Sequence, residues 1–409
     1  MQSTFLVKAE ASISLADQAG RTQQPSQFVE LNALRGIAAS IVILYHFRLL
    51  YPIHGLSASA WLLWNGLLRI FFSGPESVIF FFILSGFVLS LPFIRGKSQP
   101  YGTFVIRRIC RIYLPYLGAL LIGVFCAAAF HGQHLPLVWA ANTWSEPVNR
   151  GLVLAHILFL GDYQNDQFDT VFWSLIVEMR LSLLFPIFCL LVRKLKPRMV
   201  LPGLAALSVA GMVVDHKWPM QSQPWLTLHY AAMFGLGILT ADNLRKLSSF
   251  YLSLRKITRK GFIAGGLFLF SFGTMGTMGS PRFGYGYMNG GEWVVAAGCL
   301  VLMIASLNSI SVSGFLSSGV PQWLGKISYS LYLLHSMVMF GLLHLLYGRI
   351  PLLAILPISL AGTLVLSWLF YLLIESPSMR LSRRIGARRT APRETSIPKK
   401  ALVTELAER

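Results

Sequence analysis

The strongest constraint on this chain is a succession of apolar runs, each near the length that crosses a bilayer, with the basic residues gathered in the gaps between them. A helix needs roughly 20 mostly apolar residues to cross a hydrocarbon core about 30 Å thick. Of the 409 residues, 55% are hydrophobic and 12% charged, whereas a soluble domain carries about 25% charged residues. The runs lack the roughly ten-residue alternation of an outer-membrane barrel. The expected class is therefore an all-α polytopic membrane protein. Runs at about 33–51, 78–94, 112–130, 173–192, 199–214, 226–240, 262–275, 293–307, 327–347 and 353–374 give about ten transmembrane helices.

The formal net charge of +19 would suggest nucleic acid in a soluble protein. Here no basic, aromatic-rich module stands apart from the apolar runs, so no nucleic-acid partner is expected. The basic residues fall in alternate gaps: Arg95 to Arg111, Arg193 to Arg198, Arg245 to Lys260 and Arg380 to Arg389. By the positive-inside rule these gaps and both termini are cytoplasmic, in a multi-pass protein of the cell membrane. Residues 1–28 read as a flexible polar tail with no cleavable signal, 29–378 as the membrane domain, and 379–409 as a basic, disordered cytoplasmic tail. Residues 151–160 are too short to cross and read as a re-entrant or interfacial piece. Cys110, Cys126, Cys189 and Cys299 have no metal-ligand spacing, and no metal or bound cofactor is expected.

The candidate chemistry begins on the first run. Arg35 and His46 are eleven residues apart, so they share one helical stripe, with His46 about 16 Å deeper. An ionisable group near mid-membrane is a functional-site candidate by default; the structural alternatives are a snorkelling arginine and a histidine in a helix contact. Ser174 and Glu178 share a face one turn inside the fourth run, behind Trp173, and Glu178 is expected near the level of His46, where it would orient the imidazole. Ser328, Tyr332 and His335 form a polar stripe on the ninth run. Arg107, Arg108 and Arg111 form a basic face suited to phosphate, or to anionic lipid. Gly86, beside Ser85, reads as a helix-packing position.

In order along the chain, these residues resemble the acyltransferase 3 family of integral-membrane acyltransferases. The family's arginine, ten residues, then histidine is matched by Arg35 and His46. Its Phe-rich Ser-Gly-Phe is matched at Phe81 to Phe87, its RxxR by Arg108 and Arg111, and its Trp-Ser-Leu-x-x-Glu by Trp173 to Glu178. Its Gly-x-x-Ser-Tyr-x-x-Tyr-x-x-His is matched by Gly325 to His335, and its closing Glu-x-Pro by Glu375 to Pro377. The chain departs at Asn32, Leu181, Ser182 and Ser376, where the family often has aspartate, an aromatic pair and a basic residue. The resemblance implies acyl transfer, most often of acetyl, from cytoplasmic acyl-CoA to a carbohydrate hydroxyl on a surface polysaccharide or glycolipid. It implies His46 as general base or acyl relay with Glu178, and Arg35, Arg107, Arg108 and Arg111 at the donor. Trp173, Ser174, Ser85, Ser328, Tyr332 and His335 would line the acceptor or its path. The competing reading is a proton-coupled sugar or small-molecule transporter, against which stands the lack of a visible internal repeat.

Overall fold

In a computed structural model the chain is a helical bundle, with no β-strand among the described residues. The structure describes residues 28–50, 57, 59, 62, 63, 66, 68–96, 99–133, 135–137, 144, 146–159, 163, 164, 167–220, 224–272 and 291–390. Phe283, Tyr285, Tyr287, Asp162 and Asp166, polar and aromatic residues of two gaps between apolar runs, lie outside the described residues.

Among the described residues a helix lies in each of the ten apolar runs, and seven of these helices are long and apolar enough to cross a membrane. These are α2 (Gly74–Ile94), α3 (Tyr101–Phe130), α5 (Phe172–Lys194), α6 (Pro197–Lys217), α10 (Gly291–Asn308), α12 (Gly319–Leu346) and α13, which starts as Leu352–Phe370. The others are α1 (Val29–Leu49), which carries Glu30, Arg35 and Arg48, and two 17-residue helices, α7 (Leu226–Asp242) and α9 (Lys256–Phe272). Shorter helices α4 (Arg150–Leu158), α8 (Leu244–Ser253) and α11 (Ile310–Leu316) connect them.

The bundle has two cores, one built on α2, α5, α7 and α10, the other on α3, α12 and α13. Helix α1 is wedged between them, giving Leu31 and Ala38 to the first and Ala39, Val42, Ile43 and Phe47 to the second. Two glycine crossings draw the helices together. A Cβ on Gly86 or Gly237 would collide with the backbone of the facing helix, α7 or α2. A Cβ on Gly36 would land on the Leu324–Gly325 backbone, and one on Gly325 on the Asn32 carbonyl. Small residues permit such approach where apolar lipid supplies no hydrophobic drive between helices.

Polar clamps tie the periphery. Ser208 of α6 bonds His229 Nδ1 of α7 at 2.8 Å, His229 Nε2 stands 2.7 Å from Glu292 Oε2 of α10, and Trp293 Nε1 donates to Ser208 Oγ at 3.1 Å. A buried pair, Arg69 and Glu76 at 3.0 Å, holds the start of α2, with Arg69 also donating to the Ser271 carbonyl of α9.

Helix α4 is nine residues, capped by Asn149, and ends at Phe159 in the left-handed region (φ 55°). At about 14 Å it cannot span. Its end meets α3, where Tyr113 donates to the Ile157 carbonyl and Tyr116 bonds His156 Nδ1 at 3.0 Å. Helix α4 thus lies against α3, ahead of α5 in the chain. The tail differs from expectation: after a π turn at Tyr371–Glu375 it runs on as α14 (Ser376–Thr390), so residues 379–390 are helical. The reason is packing on α3, where Ser378 donates to the Cys110 carbonyl and Ser382 to the Arg107 carbonyl at 3.4 Å.

Gly325→Ala should lower the melting temperature of the purified protein markedly, since overpacking against backbone costs about 1–3 kcal/mol. Gly265→Ala, where nothing lies within 4 Å of the added carbon, should leave it equal or slightly higher, because alanine is the better helix former.

Candidate active site

The glycine crossing of α1 and α12 fixes a register. The two helices run parallel, and His46 and His335 each stand ten residues beyond their glycine, about 15 Å along. The imidazoles meet there: His335 Nε2 and His46 Nδ1 are 2.9 Å apart, with ring centroids 4.9 Å apart. His335 is fully buried and His46 half-buried.

The protons of this pair follow from one carbonyl. His335 Nδ1 lies 2.7 Å from the Tyr332 backbone oxygen, which can only accept, so Nδ1 carries the hydrogen. In a neutral imidazole the other nitrogen is then an acceptor, so His335 Nε2 accepts from His46 Nδ1–H. The Val42 carbonyl, one turn back, is also hydrogen-bonded to the His46 ring. This tautomer of His46 puts its basic lone pair on Nε2, on the side of the ring away from His335.

Around the pair, Tyr332 OH bonds Ser174 Oγ at 2.7 Å, and Phe81 packs edge-on to Tyr332 at 5.6 Å. Ser174 also donates to the Val171 carbonyl at 3.0 Å, and Trp173 packs on Tyr230 at 5.7 Å. These contacts join α12, α5 and α2, so Ser174, Tyr332, His335 and His46 form one polar seam.

About 15 Å nearer the basic end, a second group assembles. Arg35 lies within electrostatic reach of Arg111, Glu178 and Glu375, and Arg108 within reach of Arg111, Glu178 and Arg35. Arg108 sits over the Phe104 ring at 5.9 Å, and Arg111 is exposed. Glu178 accepts from Ser85 Oγ at 3.0 Å. The carboxylate expected to orient His46 thus belongs to the arginine group, and the ring that meets His46 is His335. Arg107 donates to Gln99 Oε1 at 2.9 Å and lies within electrostatic reach of Arg108. Ser328 donates to the Gly325 carbonyl of its own helix at 2.9 Å, at the crossing.

Sequence reasoning assigned no role to Glu375, 6% exposed, on the second π turn. It accepts from Ser330 N at 3.2 Å and from the Ser330 hydroxyl, and lies within reach of Arg111 and Arg35. Its Glu-x-Pro motif was the only signal. π turns gather at functional sites, and both of these flank the arginine group.

Asp169, in the loop before α5, accepts from Ser336, the neighbour of His335, and from Val171 N at 3.4 Å. Its Oδ2 has no partner. Burial pushes this carboxyl up to about 8, against the opposing effect of its hydrogen bonds. No cluster of metal-ligating side chains occurs among the described residues.

The family described as acyltransferase domain, Acyl_transf_3, matches residues 28–372. The chain is 27% identical over 359 residues to the acyltransferase MdmB of Streptomyces mycarofaciens, covering 80% of this chain and 87% of that protein. It is 23% identical over 391 residues to the O-acetyltransferase PaAT-1 of Phomopsis amygdali, covering 78% of this chain and 73% of that one. No solved structure matches.

Asp169 makes stability depend on pH. Its folded pKa is raised, so between the ordinary carboxylate range and about pH 8 the unfolded chain has lost this proton and the folded chain has kept it. Stability from this group is full at acid pH and falls as pH rises toward 8. The melting temperature in detergent should decline over that window, and Asp169→Asn should flatten the decline.

Proposed function

The chain belongs to the acyltransferase-domain family, as its match over residues 28–372 shows, and on that premise we propose that it transfers an acyl group, acetyl by preference, from cytoplasmic acyl-CoA to a carbohydrate hydroxyl. The chain is a membrane acyltransferase, with seven helices able to span. We place ten spans, with the arginine end and both termini in the cytoplasm, on the positive-inside rule. The name of one relative, an O-acetyltransferase, supports an oxygen acceptor and an acetyl donor.

The observation that carries the reading is the directed hydrogen-bond chain from the Tyr332 carbonyl through His335 to His46. It presents a basic His46 Nε2 without any charge being made in advance. In the proposed step the acceptor hydroxyl gives its proton to Nε2 while its oxygen attacks the thioester carbonyl. The C–S bond breaks, and the proton passes from His46 to the departing thiolate. The net products are an ester and free CoA. His335 accepts from His46 Nδ1–H and stabilises the imidazolium that forms. General-base help of this kind contributes typically 10²–10⁴-fold.

Arg35, Arg108 and Arg111 supply the donor site in this reading. Guanidinium groups bind phosphate through charge-assisted, often bidentate hydrogen bonds. Glu178 and Glu375 hold these arginines in place and offset their mutual repulsion. The roughly 15 Å between arginines and imidazoles suits a donor whose phosphates and reactive thioester are separated by a long arm, as in acyl-CoA. Ser174 and Tyr332 would orient the acceptor hydroxyl.

Acetyl transfer from acetyl-CoA by membranes should fall by about 10²–10⁴ in His46→Ala, with glycan acetylation read by mass spectrometry. Full turnover by that variant at equal expression would overturn the assignment. Arg111→Ala should act on the donor instead, raising KM for acetyl-CoA about tenfold or more with a smaller change in kcat.

A further inference from the structure

A groove of about 230 Å³ lies between α12 and α13, lined by Trp323, Leu364, Val365, Trp368 and Leu369. Val365 and Leu369 are exposed, so the groove opens outward from the bundle. On a membrane-spanning helix such an apolar, outward-facing surface meets lipid chains. Along α13, Leu364 to Tyr371 is seven residues, about 10 Å. The groove therefore begins well inside the span and ends at the π turn that carries Glu375.

A cation stands at that end. Lys326 Nζ lies 5.2 Å from the centre of the Trp368 ring and 5.3 Å from that of Tyr371. Trp368 stacks on Tyr371 at 5.6 Å and packs on Trp323 at 6.1 Å. The ring faces steady the ammonium by cation–π attraction, but they do not neutralise it. Lys326 is exposed, and among the described residues it has no carboxylate partner. Trp323 and Trp368 make ring contacts but no hydrogen bond among the described residues, so both indole N–H groups remain available as donors.

The helix crossing sets the depth of this group. Gly325 meets α1 at Asn32 and Gly36, the stretch that brackets Arg35. Lys326 is the next residue, so it stands near the level of Arg35 but about 100° round α12 from the crossing face. Helical side chains lean toward their own N-terminus, which for α12 is the arginine end. The lysine stem thus leads its charge toward the membrane surface, as snorkelling side chains do. Beyond Tyr371 the same continuous helix carries exposed Arg380, Arg383 and Arg384.

We propose that this groove binds one anionic phospholipid of the leaflet on the arginine side, an acyl chain along Leu364 and Val365 and the phosphate on Lys326 and the indole N–H groups. The match is one of charge and polarity together. A soluble anion would leave the apolar slot unused, and a zwitterionic lipid would bring a second cation beside the ammonium. Tryptophan and lysine at one level are also the pairing found where hydrocarbon gives way to headgroups. The bound lipid bridges α12 and α13 beside the Gly36–Gly325 crossing and the turn that holds Glu375. The proposal goes beyond the acyl-transfer reading and does not depend on it.

Native mass spectrometry of the full-length protein, released from detergent, resolves lipids bound one by one. The first phosphatidylglycerol should bind with a Kd about fivefold or more below that of phosphatidylcholine with the same chains, the gain expected from one basic residue at the headgroup. Lys326→Gln should remove that preference. Val365→Phe, which fills the groove at an exposed position, should weaken both lipids alike. The triple variant Arg380→Gln, Arg383→Gln, Arg384→Gln should bind fewer further lipids yet keep the preference at the first site. In the wild type, glycerophosphoglycerol, the same headgroup without chains, should leave the first lipid in place. The proposal is overturned if the wild type binds both lipids alike, if Lys326→Gln keeps the preference, or if the arginine variant loses it. It is equally overturned if Val365→Phe binds like wild type, or if the chain-free headgroup displaces the lipid, which would mark a plain anion site. Acyl transfer is read in none of these arms, so the transferase stands or falls separately.

Discussion

The close crossing of two parallel helices at Gly36 and Gly325 is the contact on which the rest of the site depends. In a bilayer no hydrophobic force drives one apolar helix onto another, so packing and polar contacts must do it. Here the two backbones touch where neither residue has a side chain. From that point each helix rises ten residues to a histidine. Because both have the same rise per residue, matching the starting point also matches the end. The imidazoles arrive level without a local device to align them. The Ser328 hydroxyl bond to the Gly325 carbonyl reinforces the same turn.

What the sequence made legible was what a single helix determines. Arg35 with His46, and Ser328 with Tyr332 and His335, are spacings within one helix, and the helices formed where the apolar runs lie. Gly325 opens one family motif and Gly36 follows Arg35, but their pairing involves two distant segments. What lay between helices was not legible. Glu178 and His46 were expected at one level, yet level alone does not decide direction, and the carboxylate turns toward Ser85 and the arginines. The helical tail beyond residue 379 has low hydrophobicity and reads as solvated. Its order comes from hydroxyls bonded to carbonyls of α3, a contact that composition does not reveal.

The polar groups fall into three levels, and each has its own way of offsetting desolvation. Near the basic end, arginines of α1 and α3 face two glutamates, Glu178 of α5 and Glu375 at the end of α13. In the middle, two neutral imidazoles satisfy each other and a backbone carbonyl. Farther out, Asp169 answers burial by holding its proton. Charge is thus concentrated at the arginine end and thins out toward Asp169.

Each π turn also contains one residue more than the α-helix around it would hold. Arg111 and Glu375 ride on these surplus residues, on neighbouring helices that run in opposite directions. Loss of one residue from 109–113 would close that stretch to regular α-helix while the segments on either side kept nearly their present azimuths, because five residues of π turn and four of α-helix sweep about the same angle. Tyr113 and Tyr116 would stay against the segment that they hold, and the change would fall on the surplus position beside Arg111. The middle of α3 is thus a place where the chain can lose a residue without re-aiming the rest of the helix.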